Sequence, residues 1–140
     1  MKFVKKEEIL NLIKLNTLDN VTEDDNNLLD SIEAISLSEI DSYIGSVYNT
    51  TEVFSKTGND RNQFMLATVI DIMLYHIHAR LTASDIPEVR FLRYQKTVNW
   101  LEQVAKGKLT PNLPLLNKEF SPRSSESRFG SALRVNNMQW

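Results

Sequence analysis

SIEAISLSEIDSYIGSVY, residues 31–48, decides the fold class of this chain. Ile32, Ile35, Ile40, Tyr43, Ile44 and Val47 recur at helical spacing, so one face of an amphipathic helix is apolar. An Ile-Asp-Ser-Tyr step (Ile40 to Tyr43) leads to an aromatic exit at Tyr48. Upstream, Thr22 followed by Glu23, Asp24 and Asp25 reads as a helix start, because carboxylates in a first turn complement the helix dipole. Leu28 and Leu29 carry the apolar stripe forward, so the expected helix covers 23–48, with a bend near Ser36.

Three further helices are expected around it. Residues 5–15 place Ile9, Leu12 and Ile13 on one face, with Lys5 and Lys6 outside it. Residues 61–81 are apolar on two sides: Phe64, Ala67, Ile70, Leu74, Ile77 and Leu81 mark one, Met65, Val69, Ile72 and Met73 the other. A helix of that kind belongs at the centre of a bundle. Asp85, Pro87 and Glu88 read as a helix start with Asp85 as cap. That last helix runs to about Lys106 with Val89, Leu92, Leu101, Val104 and Ala105 toward the core, and Gly107 is its left-handed stop. Residues 49–62, with Thr50, Thr51, Gly58, Asn59 and Asp60, read as a loop in which apolar Val53 and Phe54 dock against something. The fold class is therefore all-α: a small bundle of about four helices over 1–110, with an extended C-terminal arm over 111–140.

The arm differs in composition. Pro111, Pro114 and Pro122 break regular structure, and SPRSSESRFGS is polar. Leu115, Leu116, Phe120, Phe129, Leu133, Val135, Met138 and Trp140 nevertheless punctuate it. Ordering such a segment costs about 1–2 kcal/mol per residue. Each buried large apolar side chain returns about 1.5–3 kcal/mol. With so few anchors the arm orders on a surface that supplies pockets and backbone partners, either its own bundle or a neighbour.

Charge and composition exclude several functions. Residues 1–110 carry 12 Lys/Arg against 16 Asp/Glu, and 111–140 carry 4 against 2, for a net charge of −2 overall. An acidic body argues against nonspecific nucleic-acid binding, which depends on neutralising phosphates. The chain has no cysteine, which removes disulfides and thiolate metal sites. No apolar run is long enough for a membrane helix, and Glu7 and Glu8 interrupt any signal-peptide core. The expectation is a protein made in the cytoplasm.

No residue set reads as catalytic, and no cofactor or metal is expected. His76 and His78, two apart on a helix, point to different faces and cannot share a metal. The acidic stretch Asp19 to Asp30 lacks the glycine and the alternation of a calcium loop. Asp71, inside an apolar helix, reads as the partner of Arg80 or Arg93. Tyr94 and Trp100 serve equally as core or as interface anchors.

Taken together, EIDSYIGSVY (39–48), FMLATVIDIMLYHIHAR (64–80) and YQKTVNWLEQVAKGKLTPNL (94–113) resemble the Mu-type head–tail connector proteins of tailed phages and prophages. The matching positions are Ile40, Asp41, Tyr43 and Tyr48, then Leu74, Tyr75 and His78, then Tyr94, Trp100, Leu101 and Gly107, across about residues 1–110. Val47 stands where that family has arginine, and Asn49 and Thr50 replace its leucine-proline. The resemblance implies a virion structural protein at the head–tail junction, synthesised in a bacterial cytoplasm. It implies a homo-oligomeric ring, a dodecamer in the family, below the portal protein. That ring extends the DNA channel without binding DNA specifically, and offers a platform to the next tail or stopper protein. It implies no enzyme activity and no membrane. The expected subunit or portal interface comprises Val53 and Phe54 in the 49–62 segment and Phe120, Arg123, Arg128, Phe129, Arg134 and Trp140 in the arm. The competing expectation is a helical protein-binding or regulatory module with a C-terminal docking tail.

Overall fold

A computed structural model describes residues 1–15, 26–81 and 86–116. Among these lie five α-helices and one short 3-10 turn: α1 (Lys6–Leu15), α2 (Asn26–Ile44), α3 (Thr50–Ser55), the 3-10 turn Gly58–Asp60, α4 (Gln63–Leu81) and α5 (Glu88–Ala105). The fold is all-α, as the periodicity requires. α2, α4 and α5 each contact the other two and form a three-helix body, while α1 packs on α4 and α3 on α2.

α4 lies at the centre. Met65, Val69, Ile72, Met73, Leu74 and Ile77 are all buried, so both predicted apolar sides contribute. The first side ends early, however: Phe64 is 58% exposed and Ala67 also faces out. Asn62 starts the helix, its side-chain oxygen accepting from the Met65 amide at 3.0 Å. From α2, Leu29, Ile32, Ile40 and Ile44 enter the core, with Leu101 and Val104 from α5.

Several sequence expectations are corrected. α2 ends at Ile44, four residues before Tyr48. At Gly45 an added Cβ would stand 2.6 Å from the Asp41 carbonyl oxygen, so the backbone there makes an approach that only glycine allows. Ile35 and Val47, placed on the apolar stripe, are 44% and 48% exposed. The helix is continuous through Ser36, whose buried hydroxyl donates to the Ile32 carbonyl at 2.8 Å. The 49–62 segment is not a loop but holds α3. Asn49 caps that helix by accepting from the Glu52 amide at 3.1 Å. On α5, Val89 and Leu92 are exposed rather than core-facing, and Ala105 is exposed too. The core arc of α5 runs through its C-terminal half, where Leu101 and Val104 face α2 and α4.

The end of α5 follows expectation. Gly107 adopts φ 79°, the Gly107 amide donates to Val104 O at 3.0 Å and the Lys108 amide to Gln103 O at 2.9 Å. That pair of bonds is the Schellman arrangement, satisfying carbonyls the helix leaves over. At the start of α5, Pro87 occupies the cap position without a side-chain cap bond. The expected cap Asp85 and the expected helix start at 22–25 lie outside the described residues.

Two polar clamps fasten the N-terminal segment. Glu33, 5% exposed on α2, accepts from three successive backbone amides: Lys2 at 2.8 Å, Phe3 at 3.1 Å and Val4 at 2.8 Å. This seats Phe3 and Val4, both 1% exposed, in the core. Arg61 forks onto Glu8 with bonds of 2.8 and 3.0 Å and donates to the Phe3 carbonyl at 2.8 Å. A buried guanidinium held bidentately by a carboxylate and by carbonyls is a well-satisfied buried cation.

Candidate assembly surfaces

The chain returns to the body after its last described helix. After α5, residues 111–116 run back across the bundle and bury Leu113. The Asn49 amide donates to Pro114 O at 2.8 Å, the Leu116 amide donates to Val47 O at 2.9 Å, and Tyr48 and Leu115 form an isolated antiparallel bridge. Tyr48 itself is buried. The aromatic exit of the sequence motif is thus an anchor for the returning chain. Around it Val47, Leu115 and Leu116 are exposed, at 48%, 67% and 38%. This makes an exposed apolar rim around the 47–116 contact. The first six arm residues belong with the bundle; Phe120, Arg123, Arg128, Phe129, Arg134 and Trp140 lie outside the described residues.

The other two residues assigned to an interface point inward. Val53 is 4% exposed within the core, and the Phe54 ring meets Phe3 edge-to-face at 5.1 Å. What α3 presents outward is polar: Thr51, Glu52 and Ser55, followed by Lys56. The Thr50 hydroxyl bonds to Asp41 and joins α3 to α2. Its helical start was legible in Asn49 and Glu52, a cap residue followed three positions on by a carboxylate.

A third surface is the groove between α4 and α5, a space of about 220 Å³. Phe64 and Trp100, with ring centroids 4.8 Å apart, wall one end. Asp71 and Arg93 form an ion pair across the groove, with bonds of 2.9 and 3.2 Å. Of the two partners expected for Asp71, the structure selects Arg93. This pairing holds the Arg93 guanidinium above its ordinary range, chiefly through the hydrogen bond to Asp71. Lys96 lines the same groove, exposed and without an ion pair among the described residues.

The remaining polar cluster sits where the three main helices meet. Glu39 of α2 bonds to His76 Nε2 of α4 at 2.9 Å and accepts from the Tyr94 hydroxyl of α5 at 2.7 Å. Tyr94 also stacks on Tyr75 at 4.0 Å. Burial, then the Glu39 carboxylate, pushes the Tyr94 phenol well above its ordinary range. His78 is 1% exposed, and its burial, then Arg90, lowers its pKa. The two histidines face different surroundings, as their spacing predicts. No group of three or more His, Asp or Glu among the described residues is placed to hold a metal ion.

The positions that carry the family resemblance are therefore mostly packing and tying residues. Ile40, Tyr48, Leu74, His78 and Leu101 are buried, Tyr94 ties three helices, and Gly107 ends α5. No helix among the described residues is long and apolar enough to cross a membrane. No curated protein and no solved structure matches the chain. The family model described as "Bacteriophage Mu, Gp36" matches residues 2–129, nearly the whole length, and the chain belongs to that phage protein family.

Proposed function

We propose that this phage protein is a head–tail connector: a structural adaptor that assembles as a ring below the portal and extends the DNA channel. The observation that carries the reading is the pinned return of residues 111–116 onto Val47–Asn49. It ties residues 111–116 to the helical body, with the exposed apolar Val47, Leu115 and Leu116 beside the contact. An arm that continues the chain from this apolar rim suits capture by a neighbouring subunit or by the portal. The Mu Gp36 family match supports a phage structural or assembly role. Polar clusters of the body tie helices together: Glu33 to the N-terminal amides, Arg61 to Glu8, and Glu39 to His76 and Tyr94. This is what a rigid adaptor requires. In this reading Phe120, Phe129 and Trp140 anchor the arm, with Arg123, Arg128 and Arg134 along it, and the acidic body lets DNA slide past without phosphate binding.

The test compares the full chain with a version ending at Leu116, because residues 111–116 are part of the body. Both should give the same helical circular dichroism. Only the full chain should co-sediment with purified portal. A truncated chain that binds portal equally well removes the arm from the mechanism. A full chain that ignores portal and remains monomeric or dimeric favours the docking-module reading.

A further inference from the structure

We propose that residues 129–135 of one copy of this chain add as a β-strand beside Leu115 of a second copy. The inference deepens the connector reading and rests on it for the neighbouring copy. What it adds is the segment, the site and the mode of contact.

The site is a backbone edge. In the bridge between Tyr48 and Leu115, the Pro114 carbonyl accepts from the Asn49 amide at 2.8 Å and the Leu116 amide donates to Val47 O at 2.9 Å. Backbone groups alternate in direction along an extended chain, so the N–H and C=O of Leu115 face away from 47–49. Neither makes a backbone bond among the described residues. Pro114, which has no donor, stands in the inward register and leaves the outward donor intact. Residues 109–117, LTPNLPLLN, contain no charged residue, whereas edges that must stay single are guarded by charge or by an outward proline. Leu115 is 67% exposed, with Val47 and Leu116 exposed beside it.

The occupant is read from the sequence. Strand addition takes a segment with apolar side chains at every second position and no proline. RFGSALRV, residues 128–135, fits: Phe129, Leu133 and Val135 share one parity with Ser131, and Arg128 and Arg134 share the other. Added as a strand, it sets its apolar face on the exposed leucines and turns both arginines away. The preceding NKEFSPRSSES, residues 117–127, does not fit, since it holds Pro122 and Phe120 is its one large apolar residue. Charge agrees. Residues 1–110 carry 12 Lys/Arg against 16 Asp/Glu and residues 111–140 carry 4 against 2, so arm and body attract.

Length favours a second copy. Residues 117–128 reach roughly 40 Å when extended at ~3.3 Å each, beyond the ~28 Å length of the 19-residue α4. Hairpin connections run to about five residues, so this one is long for pairing with the chain's own edge. Giving a strand to one neighbour and taking one from the other is a head-to-tail contact that repeats around a ring.

The absence of cysteine permits a direct test. A size-tagged Leu115→Cys chain is mixed with chains carrying one cysteine at each position from 129 to 135 in turn. The mixtures are oxidised at high concentration, alone and on purified portal. Urea midpoints verify that every variant folds. Mixed-dimer yield should alternate along the scan, high at 129, 131, 133 and 135. At these maxima it should exceed the yield with an exposed control, Ser55→Cys in place of Leu115→Cys, by about tenfold, a preference of ~1.4 kcal/mol. Leu115→Cys and Leu133→Cys in one chain should give a ladder of higher oligomers. A flat scan, maxima every third or fourth position, or a double variant that closes on itself as a monomer overturns the proposal. Portal binding is read separately. A chain that binds portal without the alternating crosslink refutes this contact alone, and one that crosslinks but ignores portal refutes the connector reading alone.

Discussion

Replacing Glu33 by alanine should release the N-terminal segment from the body. The carboxylate accepts from the amides of Lys2, Phe3 and Val4 at 2.8–3.1 Å, and Phe3 and Val4 are almost wholly buried. Alanine supplies no acceptor. The Lys2 amide is partly buried and can recover a bond to water, but those of Phe3 and Val4 lie inside. Each buried donor left without a partner costs about 1–3 kcal/mol, so the pair costs about 2–6 kcal/mol. At a urea slope of roughly 2 kcal/mol/M, the midpoint should fall by about 1 M or more. Glutamine at this position keeps one acceptor oxygen but sets an amide N–H₂ against a backbone donor, so Glu33→Gln should lie between. α1 meets the body through α4, so the loss can also appear as local opening. Hydrogen exchange then quickens over residues 3–10 while the amides of α4 stay protected. A midpoint shift equivalent to under about 0.5 kcal/mol, with unchanged exchange at Phe3 and Val4, would refute the assignment of Glu33 as the seat of this segment.

Three further outcomes follow from the same contacts. The Arg61 hydrogen bond chiefly lowers the Glu8 pKa below its usual 4.5, so its folded value is depressed. The stability from this pair is therefore present above pH 4.5 and lost as pH falls through the folded value; the urea-midpoint gap between the wild-type chain and Glu8→Gln should be wide at neutral pH and close in acid. His78 has its pKa lowered from 6.5 by burial and then by Arg90, so the fold favours its neutral form and loses stability as pH falls below 6.5; NMR titration should show His78 protonating at lower pH than a free histidine. Gly107 sits at φ 79° with open space around its Cβ position, so Gly107→Ala should cost about 1–2 kcal/mol from backbone strain alone, seen as a lower melting temperature with an unchanged circular dichroism spectrum.

Much of the body was legible because burial and helical period agree. Ile32, Ile40 and Ile44 recur within one arc of α2 and are all buried, and α4, apolar on two sides, is central. Ile35 shows the limit: hydrophobicity puts it on the stripe, but at 3.6 residues per turn it lies about 140° from Ile40 and opposite Ile44, so of the three buried isoleucines only Ile32 is its neighbour. Val89 and Leu92 fail differently. Their half of α5 turns fewer residues to the core than the half holding Leu101 and Val104, a fact of packing rather than of local pattern. The helix at Thr50–Ser55 was concealed by the glycine, asparagine and aspartate after it, although its Asn49 cap was visible. Glu33 with the 2–4 amides, and Arg61 with Glu8, join residues some 30 and 53 positions apart, and no local spacing announces them. Of the eight interface positions read from sequence, Val53 and Phe54 are bound up in packing. The α4–α5 groove is not legible in the sequence, because the helical spacing of Phe64 reads as core whereas the side chain is exposed.

The connector reading is tested most directly by the mass of the protein, by light scattering and negative-stain imaging, with and without purified portal. The account predicts that portal gains a defined number of copies as a ring coaxial with its channel. Unchanged portal mass, with the protein still monomeric or dimeric beside it, would contradict the account.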